Sequence, residues 1–289
     1  MKAVSILTVL IAIFAGVSIS WGEENVVAYG RTVERGGIRY EVNSEKPFTG
    51  KAVSYWSNGK PELEIKYRDG KNEGEMIVWY ENGQRKYQAD FHAGEEQGKV
   101  ISWYEYGQKQ IEAEYRDGKQ NGKWISWYEN GQKKIETESS DGQLNGKLVT
   151  WYENGQKETE AEYRDGKENG KWISWHENGQ KQKESVSRDG QLNGKLVLWY
   201  ENGQKETEAD YRDGKKNGKW IAWYENGQKN IEAEYINGKA EGKKITWREN
   251  GQKWSESEYS NGKINIKRIW DEDGRLAGTI GHKKGSSHD

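Results

Sequence analysis

Cysteine is absent, which excludes disulfides, thiolate metal sites, cysteine-borne lipids and a cysteine nucleophile. No window shows a 3.6-residue apolar period with helix caps, so no helix is expected in the body of the protein. Charge of one sign is also missing. The formal net charge is −2, and nothing in that balance points to a polyanion or an anionic membrane as partner. Only four histidines occur, His92, His176, His282 and His288, without metal-ligand spacing. At 32% hydrophobic, 32% charged and two prolines, the composition is hydrophilic enough to suggest disorder. Disordered proteins are poor in aromatics, however, and this one carries 15 Trp and 17 Tyr.

What is present is a period. Asn-Gly or its equivalent places glycine at Gly59, Gly83, Gly107, Gly131, Gly155, Gly179, Gly203, Gly227 and Gly251, always 24 residues apart. A second glycine comb runs from Gly70 to Gly262 at the same interval. A fixed period of this size marks a stacked repeat protein. In each unit a run such as Lys123 to Tyr128 is aromatic and β-branched, while Gln110 to Arg116 alternates apolar and charged residues. The unit reads as a β-hairpin. Asn130-Gly131 predicts a two-residue type I′ turn, and Asp117 to Gly122 predicts a longer reversal. With that turn, Trp124, Ser126 and Tyr128 share a face with Ile135 and Thr137. Ile125 and Trp127 then share the other face with Lys134 and Glu136. Residues 118–165 and 166–213 match at 39 of 48 positions, so two hairpins form the true repeat there. Across the longer turn the expected pairs are Tyr115–Trp124, Ser139–Leu148, Tyr163–Trp172, Ser187–Leu196 and Tyr211–Trp220, large meeting large and small meeting small.

The fold class expected is therefore all-β: an elongated array of antiparallel hairpins forming an open twisted sheet or solenoid, each unit burying itself against its neighbours. At ~4.8 Å per strand, nine units would span roughly 90 Å. Residues 1–22, with Lys2, an apolar core from Ile6 to Val17 and small residues near Ser20, read as an export signal. An uncleaved anchor is the alternative, and only in that case is membrane contact expected, through this segment alone. Residues 23–49 are off the comb and read as an N-terminal cap, residues 50–275 as the repeats, and 276–289 as a flexible polar tail.

The pattern Gly-Lys-Trp-x-x-Trp-Tyr-Glu-Asn-Gly-Gln-Lys followed by Tyr-Arg-Asp-Gly-Lys-x-Asn-Gly resembles the MORN-repeat variant. The Lys46-Pro47-Phe48-Thr49-Gly50 entry is similar to the opening of bacterial proteins labelled YwqK-type antitoxins. The resemblance covers about residues 46–275 and implies a sheet of hairpins used for interaction, without catalytic residues or cofactor. The antitoxin label implies a toxin partner. Departures are local: Tyr106 replaces the turn Asn, His176 and Arg248 replace the Tyr, and Ala93 replaces the Asp.

Sharper motifs fail on their own terms. Gly118 to Lys123 has one residue too few for a phosphate loop, Trp124 stands where a magnesium-binding hydroxyl belongs, and no helix follows. Lys or Gln follows nearly every Asp-Gly, where a calcium site needs oxygen ligands. Glu112- and Glu114-type carboxylates recur in every unit as a solvated face, so no single pair is set apart for acid-base chemistry. Each lysine is balanced by a nearby Glu, and no phosphate track forms for nucleic acid. The functional expectation is an exported, periplasmic or extracellular, non-enzymatic scaffold for a protein or cell-surface polysaccharide. The alternative is an antitoxin-like neutraliser of a cognate toxin. The candidate ligand-binding residues are the column Trp79, Trp103, Trp127, Trp151, Trp175, Trp199, Trp223 and Trp247, extended by Tyr55 and Trp270.

Overall fold

The computed structural model describes residues 25–281; the signal read at 1–22 and residues 282–289 of the tail lie outside them. Among the described residues there is no α-helix, only a 3-10 turn at Tyr29–Arg31. From Gly50–Tyr55 to Leu276–Gly281 each strand pairs antiparallel with the next, Gln191–Leu192 and Gly194–Trp199 acting together as one interrupted strand. Val26–Ala28 adds a parallel strand beside Gly50–Tyr55, giving one open 22-stranded sheet. Leu276–Gly281 pairs along Lys263–Trp270, so the array continues past 275 and the tail set at 276 starts no earlier than 282.

The two turns of the unit are built the other way round from the sequence expectation. Asp117 and Gly118 have φ of 50° and 69°, and Lys119 pairs with Arg116, so Asp-Gly makes the two-residue reversal of type I′ character. At the other end Gly131 N–H donates to Tyr128 O at 2.9 Å and Tyr128 N–H to Gln132 O at 2.8 Å. Only Gly131 of the Glu129-Asn130-Gly131 loop has positive φ, 85°. This is a three-residue loop with a glycine bulge. Asn-Gly therefore misled because it fits two turn types that differ by one residue. The bulge sets Trp127 opposite Lys133 instead of Lys134, whose ammonium lies 5.4 Å over the Tyr128 ring. The remaining face assignments hold: Trp124 meets Thr137, Ser126 meets Ile135, and Ile125 meets Glu136.

A second bulge follows each Asp-Gly turn. Gln120 pairs with Tyr115 and Trp124 with Ala113, so Asn121, Gly122 and Lys123 together oppose Glu114 alone. Gly122 has φ of 123°, and a Cβ there would sit 2.9 Å from Glu114 Cβ, so glycine is required. This bulge overturns the expected large-with-large pairs. Trp124 lies opposite Ala113 and Thr137, with Ser139 one step away opposite Gly122. The same geometry sets Leu148 beside Tyr163, Trp172 beside Ser187 and Leu196 beside Tyr211. Large meets small, because two side chains sharing one slot must sum to a constant volume.

That rule also explains how a single sheet buries anything. Across one face run Ala89, Val100, Ala113, Trp124, Thr137, Leu148, Ala161, Trp172, Ser185, Leu196 and Ala209, small alternating with large. The small members are the most deeply buried, Ala113 and Ser185 being 1% exposed, because the flanking large side chains close over them. Among the described residues a conventional apolar cluster forms only at the N-terminal end of the sheet. There Phe48, Ala52, Ile65 and Tyr67 pack with Val27, Tyr29, Leu63 and Met76. The hairpin Thr32–Arg35 and Ile38–Glu41 leans on this cluster, Arg39 N–H donating to Gly70 O and its guanidinium lying 4.8 Å over the Tyr29 ring.

Candidate binding strip on the sheet

Each of the eight candidate tryptophans closes the first strand of its hairpin, at the entry to the glycine bulge. They do form a row, but not of indoles alone. Register places Lys109 opposite Trp103, Lys133 opposite Trp127, Lys157 opposite Trp151, and so on to Lys253 opposite Trp247. Each of these lysines then sets its ammonium over the next indole. Lys109 lies 5.9 Å from the centre of Trp127, Lys133 5.6 Å from Trp151 and Lys229 5.7 Å from Trp247. The row is an alternating Trp–Lys ladder, and every candidate tryptophan in it is half-buried. Trp79 and Trp103 lack the lysine because Pro61 and Arg85 occupy its position. At the ends, Trp270 takes Lys253 at 5.0 Å, while Tyr55 is 60% exposed.

A carboxylate holds each lysine in place. Lys133 Nζ donates to Glu136 at 2.5 Å, Lys157 to Glu160 at 2.7 Å and Lys205 to Glu208 at 2.6 Å. A second lysine approaches the same carboxylate from the partner strand, Lys147 reaching Glu160 at 3.3 Å and Lys195 reaching Glu208 at 2.5 Å. Hydrogen bonds from these lysines hold the carboxyls of Glu112, Glu160, Glu184, Glu208 and Glu256 below the usual carboxylate range. The sequence marked Glu112-type residues as a solvated face. They are the linking member of a Lys–Glu–Lys relay beside the Trp ladder, alternating strand by strand with the aliphatic residues Ile125, Val149 and Ile173.

A set of residues the sequence did not single out ties the row together. Tyr80, Tyr104, Tyr128, Tyr152, Tyr200 and Tyr224 each donate a hydroxyl to the carbonyl of the Trp one unit ahead, at 2.8–2.9 Å. Burial raises the hydroxyl pKa of Tyr128 and Tyr152. The departures from Tyr keep the bond: Trp56 Nε1 reaches Trp79 O at 3.2 Å and Arg248 Nη2 reaches Trp270 O at 3.2 Å. His176 Nε2 faces Trp199 O at 3.1 Å, which places the ring hydrogen on that nitrogen. Tyr106 likewise replaces the bond of its lost Asn, its hydroxyl donating to Glu129 O at 3.0 Å. The readable signal was that every replacement is a long side chain with a donor at its tip. Among the described residues no group of His, Asp and Glu is arranged to hold a metal ion.

Of solved structures, the crystal structure of TcdB2-TccC3-Cdc42 is similar at 14% identity, over 81% of the present sequence and 15% of that one. Its TM-score of 0.18 is too low to carry an argument, and the present sequence spans a small fraction of that protein's length. No curated protein matches. The sequence profile of the MORN repeat variant matches residues 48–69, 72–93, 120–141, 144–165, 168–187, 192–213 and 216–237. These are hairpin units already described, in register with one another and covering more than half of the sequence, and this protein belongs to the MORN repeat variant family.

Proposed function

We propose that this protein is a non-enzymatic, exported scaffold that binds a protein or a cell-surface polysaccharide along the Trp–Lys ladder. The observation that carries the reading is repetition of one surface chemistry. An indole, an ammonium and a carboxylate recur in each unit from Lys109 to Glu256, offering aromatic area, donors and acceptors along a line. The balance of Lys and Glu along the ladder favours a partner of low net charge over nucleic acid. Absence of catalysis is supported by the same repetition, since the carboxylates are equivalent from unit to unit. Their pKa values are also shifted down, away from what a general acid at neutral pH requires. Export rests on residues 1–22 alone, and the mass of the mature protein recovered from fractionated cells tests it.

The binding test compares two variants. Replacing Trp127, Trp151 and Trp175 by Ala should abolish retention on cell walls or surface extracts. Because those indoles also shelter lysine stems, the softer triple Lys133→Gln, Lys157→Gln, Lys181→Gln changes only side chains 44–49% exposed. Loss of binding in both, with the second melting like wild type, supports the strip. Binding retained by the lysine variant and lost only when the fold melts assigns the ladder to structure.

A further inference from the structure

Asparagine followed by glycine occurs in three settings in the hairpin array, and the structure treats the Asn amide differently in each. At the turn tips the amide is held twice. From Asn58 to Asn226, seven of these residues donate Nδ2 to the carbonyl of the turn Glu one unit ahead at 2.7–3.2 Å. Their Oδ1 accepts the N–H two residues on, as Gln132 N–H to Asn130 Oδ1 at 2.9 Å. The next glycine nitrogen is also engaged, Gly131 N–H donating to Tyr128 O. In the Asp-Gly-type turns, Asn237 and Asn261 precede glycines whose N–H groups bond back to Lys216 O and Ala240 O. At the strand bulge the settings diverge. Asn121 accepts from Arg116 Nε and Nη1 at 3.1 Å, Asn193 donates to Asp213 at 3.1 Å, and Asn217 accepts from Asn237 N–H at 3.2 Å. Asn145 and Asn169 stand at the same position with amide groups that bond nothing among the described residues, Asn145 being exposed.

We propose that Asn145 and Asn169 are sites of spontaneous deamidation, and that the turn-tip hydrogen bonds protect the far more numerous Asn-Gly steps elsewhere. The Gly146 backbone nitrogen, having lost its proton to solvent base, attacks Asn145 Cγ. The new bond from that nitrogen to Cγ closes a succinimide as the bond from Cγ to Nδ2 breaks, and the departing nitrogen takes a proton from solvent and leaves as ammonia. Water then opens the ring at either carbonyl, giving aspartate or isoaspartate. Gly146 and Gly170 are themselves strand-paired, with Tyr163 and Ser187, so the settings differ at the Asn amide: a turn-tip residue must first break both of its amide bonds before the same attack. Isoaspartate at 145 adds a backbone atom where the fold has no slack: a Cβ on Gly146 would already lie 3.0 Å from Glu138 Cβ. Conversion thus adds negative charge and loosens the hairpin at one bulge, while the turn edge stays intact.

The test is peptide mapping by mass spectrometry of the full-length protein aged in mildly alkaline buffer, folded and in urea. In the folded protein Asn145 and Asn169 should convert about tenfold or more faster than Asn130 and Asn154, the difference that one or two hydrogen bonds support. Asn250, whose Nδ2 reaches only Gln252 Oε1 at 3.2 Å, should fall between them. Urea should level the rates. Turn-tip conversion as fast as that of Asn145 in the folded protein overturns the proposal. So does a difference that persists in urea, since local sequence would then set it.

Discussion

At the residue scale, the side chains that matter most bridge units at the turn edge, where the backbone ladder that joins one hairpin to the next has ended. The Tyr152 hydroxyl bond to Trp175 O spans 23 residues and satisfies a carbonyl at the point where the strand ends. Tyr152→Phe keeps the ring and removes the donor, so it should cost about 1 kcal/mol by chemical denaturation. Tyr152→His should recover much of that, as His176 does in its own unit. A Phe variant as stable as wild type would reduce the ladder to packing. Ala93 gives an independent test. It occupies the first turn position with φ of 52°, where other units place Asp or Asn. Left-handed backbone costs a β-carbon residue roughly 1–2 kcal/mol, which Asn largely avoids. Ala93→Asn should therefore raise stability by about 1 kcal/mol, and a lower melting temperature would contradict the reading. His176 and Ala93 were visible in the sequence as departures from the repeat. What they lose or keep depends on a partner 20 or more residues away, which the repeat pattern alone does not reveal.

At the scale of the hairpin, the period, strand lengths and face assignments of Trp124, Ser126, Ile125 and Glu136 were legible because alternation and turn glycines repeat so often. The bulges were not. Asn121-Gly122 and Asn130-Gly131 are identical dipeptides, yet one widens a strand and the other closes a loop. Slipping past that bulge is what turned Tyr163–Trp172 from an expected contact into Trp172 beside Ser187. The tryptophan column was legible, but its lysines were assigned one position late. The corrected register makes a packing prediction. Ser187→Tyr alone crowds Trp172 and Leu192 and should cost about 1–3 kcal/mol. Adding Trp172→Leu and Leu192→Glu recreates the Leu148, Tyr163 and Glu168 arrangement of the unit before and should restore most of it. Charge acts at this scale too. Glu112, Glu160, Glu184, Glu208 and Glu256 titrate below the ordinary value of 4.5 because lysines donate to their ionised form. Their contribution is full above that value and is lost as pH falls through the lowered folded-state values. Melting temperature should be level near neutrality and drop below about pH 4.5, more steeply in low salt. A level profile into stronger acid would remove the Lys–Glu pairs from the account of stability.

At the scale of the whole molecule, neighbour-only contacts make length a free variable, while the alternation of volumes makes composition a constrained one. These two statements predict different results for two deletions. Removing residues 166–213 takes out two hairpins and leaves Tyr163 beside Lys216, the same partner Tyr211 has now. Leu148 keeps Tyr163, and Trp220 keeps Tyr235, against which it packs edge-on at 6.1 Å. The shortened sheet should fold with unchanged stability per unit, and its long dimension in small-angle scattering should fall by four strand spacings, about 19 Å. Removing only residues 166–189 preserves the 24-residue comb but sets Tyr163 beside Leu192, the residue that now fills space next to Ser187. It also brings Leu148 and Leu196 to flank Ala161, with no tryptophan between the two leucines. That deletion is half the size and should be the more damaging, with lower melting and weaker hydrogen-exchange protection centred on the new junction. Equal tolerance of both would mean that the 24-residue hairpin is the true unit of stability. Greater tolerance of the longer deletion would mean that the volume rule operates over two hairpins, and that any ligand lying along the ladder meets a surface whose underlying packing repeats every four strands.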